Sequence, residues 1–361
     1  MNQRKPVAFD TIQIVLGNSN RRFSGVTSTM LQVLEKQKSL QAIAVLGEHF
    51  VPRDVPVVSF LQLALKGRTP LANGQPRVFH ARRNDEMIQA LALKWLFGAK
   101  LRIAFTSTAQ RHHSRFTRWL IRQMDGVIST CDAAAGYLHR PADRIIPHGV
   151  DPAVWHPAED KTSAWQQLQL PGKMGIGIFG RVREQKGHDR LIDALVPLLK
   201  RFEDYTLVIS GQLQKADQEF FSQQMEKLEQ HGLAERVVYL GEVPFDELPG
   251  LFRAMHLVTA LSRNEGFGLT VLEAMSSGTA VLASQAGAWP EIIRNSIDGF
   301  CVDAARPELL EKTLEQLLGQ PQQLVEMGAA ARERVIDSFT VDVEATALLD
   351  YYRSLQSSTG C

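Results

Sequence analysis

The chain has 361 residues, long enough for two domains that each bury a core of their own. Its composition, 44% apolar and 22% charged with a net charge of +1, is that of an ordinary globular protein and excludes low-complexity, collagen-like and disulfide-framework classes. The charge is divided unevenly: residues 1–150 carry 21 Lys and Arg against 9 Asp and Glu (+12), and the remainder carries 19 against 30 (−11). The basic half is expected to face something anionic, with nucleic acid, an acidic membrane surface and a phosphorylated acceptor all qualifying.

Cys131, Cys301 and Cys361 are scattered and odd in number, so neither a disulfide framework nor metal-ligand spacing follows, and a reducing cytoplasm fits. Arg4 and Lys5 precede no apolar run of the kind a signal peptide needs. No stretch approaches the ~18–20 apolar residues of a membrane span.

In chain order, residues 11–16 have a strand's β-branched alternation and 17–20 break it. Residues 21–28 then lead into an amphipathic helix carrying Met30, Leu31, Val33 and Leu34. This is strand, glycine-bearing loop, helix, without the GxGxxG spacing of a dinucleotide site. Gly25 is either a plain turn glycine or the place where amides approach a phosphate.

Short apolar runs follow at 42–46, 55–60, 77–80, 101–106, 126–130 and 144–147, with helical patterns over 85–97 and 113–124. Such alternation predicts a doubly wound, mostly parallel α/β sheet, in which ligands sit at the carboxyl ends of strands. Two of the loops so placed are basic: Arg82 and Arg83 in one, Arg111, His112, His113 and Arg115 in the other. Arg115, Arg118 and Arg122 recur at helical spacing, either as a solvated face or as a stripe holding an anionic acceptor or lipid headgroups.

Residues 147–157, rich in Pro and Gly, have the composition of a linker. A second α/β series has strand-like runs at 175–180, 205–210, 237–240, 257–260 and 280–283. Helical patterns over 191–201, 218–231, 245–255 and 269–277 separate them, and an amphipathic tail runs over 340–355.

Two stretches of this half carry chemistry. After the first strand come Arg181 and Lys186, a guanidinium fork and a point charge suited to a diphosphate. Further on, Gly266, Phe267 and Gly268 enter a helix that begins at Leu269, and a helix start seats anions. Glu265 and Glu273 flank that start, placed to accept hydrogen bonds from hydroxyls. No Asp-x-Asp pair sits at a strand end, and His112-His113 lacks zinc spacing, so no metal is expected.

GRVREQKG at 180–187, NEGFGLTVLEAMSSG at 264–278 and HGVDPAVWHP at 148–157 make the whole chain resemble the retaining glycosyltransferases of glycosyltransferase family 4. Within that family, RRFSGVTST (21–29), FHARRNDEM (79–87) and FTSTAQRHHS (105–114) resemble the lipopolysaccharide core mannosyltransferases of Gram-negative bacteria.

The resemblance implies GT-B architecture: two Rossmann-like domains facing across a cleft, with a C-terminal helix crossing back to the first. The expected division is 1–157 for the acceptor-binding domain with its linker, 158–339 for the nucleotide-sugar domain and 340–361 for the returning helix. Arg181, Lys186 and Glu265 are then the expected catalytic groups. Gly25, Gly211, Val243, Gly266, Phe267, Gly268, Leu269 and Glu273 join them in binding the donor. Arg82, Arg83, Arg111, His112, His113 and Arg115 are the expected acceptor contacts.

The implied reaction moves mannose from GDP-mannose to the lipopolysaccharide inner core without metal or cofactor. It proceeds by front-face attack within an ion pair, the donor's phosphate oxygen taking the acceptor proton. Nucleic acid is not an expected partner. The expected location is cytoplasmic, with peripheral membrane contact through the basic half and the apolar residues of 56–65. A UDP-glucose or UDP-N-acetylglucosamine donor on another acceptor is the alternative enzyme. A non-catalytic nucleotide-sugar-binding subunit is the alternative of another class. Many relatives place a His near Ser107; here Arg111, His112 and His113 are the nearest substitutes.

Overall fold

The computed structural model describes residues 8–22 and 24–358; Arg4, Lys5, Phe23 and Cys361 lie outside the described residues. The chain divides into two compact units, Met1–Gly149 with Val341–Cys361, and Val150–Thr340.

The first unit is built on strands β1 (Ile14–Gly17), β2 (Ile43–Leu46), β3 (Val57–Val58), β4 (Arg77–Ala81), β5 (Leu101–Ser107), β6 (Gly126–Ser129) and β7 (Arg144–Ile145). They form one parallel sheet in the order β3-β2-β1-β4-β5-β6-β7. Both faces of its centre are covered, which is why strands such as β1 and β2 are apolar throughout rather than alternating. Val15, Phe79 and Ile103 point to one face, under Leu63, Met87, Leu91 and Leu120. Leu16, Val78 and Ile128 point to the other, under Met30, Leu34, Leu348 and Tyr352.

That second face holds the C-terminal helix, Val341–Ser357, beside the helix Gly25–Gln37. Polar contacts fix it. Tyr352 Oη lies 2.5 Å from His80 Nδ1, and Tyr351 Oη donates to Asp143 at 2.7 Å. Glu344 accepts from the Gly149 N–H at 2.8 Å and meets His148 Nδ1 at 2.8 Å. His80 is fully enclosed between Tyr352 and Thr106, and burial holds its pKa well below the usual histidine value.

One expected strand is shorter than its apolar run. Of residues 55–60 only Val57 and Val58 pair, because Ser59 caps a helix, Phe60–Lys66. Its Oγ accepts from Gln62 N–H while the Gln62 side chain accepts from Ser59 N–H, a closed capping box. The apolar stretch 56–65 is therefore split, with Leu63 and Ala64 in the core and Leu61 and Leu65 exposed.

The second unit has strands β8 (Met174–Phe179), β9 (Tyr205–Ser210), β10 (Val237–Tyr239), β11 (Leu257–Ala260), β12 (Ala280–Ser284) and β13 (Phe300–Val302). Their order, β10-β9-β8-β11-β12-β13, reverses direction between β8 and β11. Such a switch point opens a crevice at the strands' carboxyl ends. Strand β13 and the helices Pro307–Leu318 and Pro321–Ser338 lie outside the sequence expectations; each helix begins with a Pro at its first position.

Residues 150–157, expected to be linker, are part of the second unit. Val150 N–H donates to Phe339 O at 2.9 Å. Trp155 is buried on Phe252 with ring centroids 5.0 Å apart. The Trp155 carbonyl accepts from Ser276 Oγ at 2.6 Å and Arg332 at 2.7 Å. The division thus falls at Gly149 rather than at 157, because a Pro-rich segment that buries a tryptophan has contacts to hold it.

Candidate active site

Three glycines end the strands on one side of the second unit's switch point. Gly180, Gly211 and Gly241 follow β8, β9 and β10 with φ of 116°, 147° and 72°. A Cβ on Gly211 would stand 1.9 Å from Gly180 O, so only glycine lets these two loops close on each other. The Gly211 N–H donates to Gly241 O at 2.8 Å and joins the third loop to them. Beside them opens a cavity of about 320 Å³, walled by Arg181, Gly211, Val243, Phe252, Thr270 and Glu273.

Arg181 is exposed and, among the described residues, pairs with no carboxylate. Glu273 comes from the helix Leu269–Ser276 and points into the cavity. Its side chain keeps some accessible surface, but that surface faces the recess, and protein closes in around the rest. Burial pushes its pKa up to about 7. No Arg or Lys of the described residues forms an ion pair with it.

Lys186 and Glu265 lie next to this cavity. A smaller recess shares its Phe179 and Thr270 walls and adds Lys186, Ser262 and Trp289. Lys186 Nζ donates to Glu265 Oε2 at 2.6 Å, and Ser262 Oγ reaches the same oxygen at 3.3 Å. The two sequence-distant loops are tied together by backbone as well. Arg263 N–H donates to Gln185 O at 2.8 Å, and Gln185 Nε2 donates to Asn264 O at 2.7 Å. Arg263 then forks onto Asp189 at 3.0 and 2.6 Å, holding that carboxyl below its usual range although burial opposes it.

Gly187 ends the turn Glu184–Lys186 at φ 78°, where a Cβ would meet Leu261 O at 2.2 Å. Its left-handed backbone starts the helix His188–Leu199 immediately after Lys186. His188, buried behind the turn, has its pKa pulled down to about 4 by burial and is neutral near pH 7.

Gly268, at φ 88°, is the N-cap of the Glu273 helix, and its carbonyl accepts from Trp289 Nε1 at 2.9 Å. Phe267 is buried and its carbonyl accepts from Ala288 N–H at 3.1 Å. Gly266 N–H lies 3.3 Å from Glu265 Oε1. The second unit therefore brings Arg181, Gly211, Val243 and Glu273 around one cavity and Lys186, paired with Glu265, to an adjoining recess that shares two of its walls, with Leu269 opening the helix beside them. Gly25 belongs to the first unit, at the start of its first helix, and a Cβ there would have no other atom within 4 Å.

The first unit has a polar cavity of about 300 Å³ at the carboxyl ends of β4 and β5. Arg82, Arg83, Arg111, His113, Ser107 and Asn84 are among its walls. Arg83 donates to Ser24 Oγ at 2.7 Å. Glu86, buried beneath, accepts from Arg82 N–H at 2.7 Å, and burial raises its pKa. His113 Nε2 lies 3.4 Å from Ser107 Oγ. Burial first and neighbouring Arg111 second lower the His113 pKa. His112 and Arg115 are placed outside this cavity: the His112 ring packs on Tyr137 at 5.3 Å, and Arg115 opens the helix Arg115–Arg122.

Sequence reasoning missed Thr270, Ser262 and Trp289 in the second unit, and Asn84 and Thr117 in the first. Thr270 and Asn84 each stand in the first turn of a helix that follows a strand end. That position alone could have singled them out. Trp289 had no such signal, since its role depends on β12 returning beside β11.

The group 1 glycosyl transferase family model matches residues 161–334. The lipopolysaccharide core biosynthesis mannosyltransferase LpcC of Rhizobium leguminosarum bv. viciae is 40% identical over 345 residues, 95% of this chain and 97% of that protein. The crystallised C-terminal domain of LpcC, a glycosyl transferase group 1 family protein from Francisella tularensis, is 36% identical. It covers 53% of this chain and 99% of its own, with a TM-score of 0.51. Anabaena Alr3699/HepE, solved in complex with UDP, shares the fold at a TM-score of 0.79 and 18% identity, over 95% of this chain and 100% of its own. Two parallel Rossmann-like sheets and a recess at the carboxyl ends of the second, in a chain similar along nearly its whole length to such an enzyme, make this protein a glycosyltransferase belonging to the group 1 glycosyl transferase family.

Proposed function

We propose that the chain transfers mannose from GDP-mannose to the inner core of lipopolysaccharide, with retention of configuration and without a metal. The observation that carries the donor half is Glu273. A carboxylate in a recess with its pKa raised and no cation beside it fits hydroxyl donors, and a ribose offers two. Arg181 and the first turn at Leu269–Thr270 border the same recess and suit a diphosphate. Lys186, held by Glu265, would reach the leaving phosphate while Glu265 accepts from hydroxyls of the sugar. Mannose and the lipopolysaccharide acceptor are supported by the activity named for the Rhizobium LpcC protein.

In this reading the sugar–phosphate bond breaks, and the acceptor hydroxyl attacks the face that the phosphate leaves. The hydroxyl proton passes to a phosphate oxygen, so no protein nucleophile is needed. Positive charge fixed near the diphosphate stabilises its departure. The protein's place is the cytoplasmic side of the membrane, where nucleotide sugars are available.

Product analysis with purified GDP-mannose and truncated lipopolysaccharide acceptor tests the whole reading. Transfer of an α-linked mannose in the presence of EDTA is the expected result. Thermal shifts with GDP, UDP and ADP test the base: a ligand at ~100 times its dissociation constant adds about 2.7 kcal/mol of stability. Stabilisation by UDP alone would replace the donor, and binding without transfer would make the chain a non-catalytic subunit.

A further inference from the structure

In the first unit three helices lie side by side over one sheet face: Phe60–Lys66, Asn84–Trp95 and Arg115–Arg122. Their inner sides bury Leu63, Leu91 and Leu120. Their outer sides are unusually apolar. Trp95 is 53% exposed, Leu96 78%, Phe116 54% and Trp119 45%. The three rings form one cluster, with Trp95 and Trp119 6.2 Å apart and Phe116 and Trp119 6.1 Å apart. Leu61 and Leu65, on the first of these helices, are exposed as well.

Charge is equally one-sided. From residue 60 to residue 124 the chain has 12 Lys and Arg and 2 Asp and Glu. Of the two acids, Glu86 is buried and Asp85 accepts from Ser19 Oγ at 2.5 Å. Arg115, Arg118 and Arg122 flank the aromatic cluster on its own helix. Among the described residues none of the three pairs with a carboxylate; Arg118 lies 3.2 Å from His139 Nε2. A solvated helix face has no need of two tryptophans and a phenylalanine, and exposed patches of this kind mark interaction surfaces.

We propose that this face docks the enzyme on an anionic lipid bilayer. Tryptophan favours the headgroup region, where its ring is apolar and its N–H stays wet, and unpaired arginines are drawn to a negative surface. Protein interfaces are also rich in tryptophan and arginine, so the choice of a bilayer rests on the one-signed charge around the rings, 12 Lys and Arg against 2 acids over residues 60–124. The same two longer helices carry Asn84 and Thr117, which line the polar cavity. Docking by their outer sides would bring an acceptor anchored in the bilayer to that cavity.

The test is vesicle binding by the intact protein. Trp155, Trp165 and Trp289 are buried, so quenching of tryptophan emission by brominated lipids reports Trp95 and Trp119. Quenching is expected with phosphatidylglycerol vesicles and not with phosphatidylcholine ones. Arg115→Gln/Arg118→Gln/Arg122→Gln should weaken binding about a hundredfold, at roughly a factor of five per charge near the surface. Phe116→Ser/Trp119→Ser should weaken it at least tenfold, while transfer to a truncated, lipid-free acceptor continues. Loss of that transfer in the wild type would overturn the proposed reaction and leave the docking result standing. Docking itself is overturned if anionic vesicles fail to quench, or if both variants bind as the wild type does. It is also overturned if the wild type dimerises and Phe116→Ser/Trp119→Ser restores the monomer without changing vesicle binding.

Discussion

Lys186 Nζ lies 2.6 Å from Glu265 Oε2, across a gap of 79 residues in sequence. The pair is only partly shielded, with the two side chains 22% and 20% exposed. On the proposed donor reading, a diphosphate arriving beside Lys186 would share its ammonium with Glu265 or take it, freeing the carboxylate towards the sugar. The pairing thus sets the site in a waiting state in which neither charge is bare.

Replacing Lys186 by Ala should therefore harm turnover far more than folding. Glu265 keeps Ser262 Oγ and the Gly266 N–H nearby, so the folding cost should stay near 1–2 kcal/mol. Removing one preorganised donor from a developing oxyanion should lower kcat by about 10²–10³. Steady-state kinetics beside urea denaturation measure both, and a wild-type rate would end the diphosphate assignment.

Glu273 makes the empty site sensitive to pH. Its folded pKa, raised to about 7 from the ordinary 4.5, means that the folded state holds a proton which the unfolded chain has released. Stability attributable to this group is full below pH 4.5 and lost as pH rises through about 7. The swing should be of order 1–3 kcal/mol. Glu273→Gln should flatten the wild type's fall in stability between pH 5 and 8. Donor binding should have the opposite slope, tightening as pH rises, because only the ionised carboxylate accepts from two hydroxyls. Calorimetric titration with GDP at pH 6 and pH 8 would check it; equal affinities would remove the ribose role.

How far the sequence reached depends on whether a signal was local. Strands such as Tyr205–Ser210 and Leu257–Ala260 were legible to the residue, because a sheet covered on both faces needs continuous apolar runs. The places of Arg181, Lys186 and Glu265 were legible because each stands beside a glycine in a loop at a strand end or helix start, and that of Glu273 because it lies about one turn inside the helix such a loop enters. What escaped was long-range. Trp155 anchors residues that look like a linker, and its partners Ser276 and Arg332 are more than a hundred residues away. The Lys186–Glu265 pairing is invisible for the same reason: each looks like a ligand contact until the backbone brings them together.

Gly187 and Gly25 contrast a glycine that the backbone requires with one that the fold does not require. At Gly187 a methyl group would meet the Leu261 carbonyl at 2.2 Å on a backbone with φ 78°, so Gly187→Ala should cost more than about 2 kcal/mol. At Gly25 nothing lies within 4 Å and φ is not positive, so Gly25→Ala should leave stability within about 0.5 kcal/mol. If Gly25 gives its amide to the donor diphosphate, the same substitution should still raise the donor KM. Denaturation of both variants, with kinetics on the second, separates the roles; an unchanged KM would leave Gly25 as the first residue of a helix and nothing more.

His113 is the imidazole that reaches Ser107 at the end of β5, 3.4 Å from its hydroxyl. Burial lowers its pKa, and Arg111 pushes it down further. The folded protein therefore holds this ring neutral where the unfolded chain would begin to protonate it, and the associated stability is lost as pH falls below about 6.5. A neutral ring can accept a hydrogen bond from an acceptor hydroxyl, and a protonated one cannot. Two outcomes are expected. If the first unit's polar cavity receives the acceptor, Arg111→Gln should raise the acceptor KM about tenfold with the donor KM unchanged, since it removes a cation from that cavity only. It should also move the His113 titration upward, carrying the acid limb of the kcat profile to higher pH. An NMR titration of the imidazole beside the pH profile measures that shift, and His113→Gln should abolish the limb. If the limb stays in place in both variants, His113 takes no part in the reaction, and Ser107 has no histidine substitute in this loop.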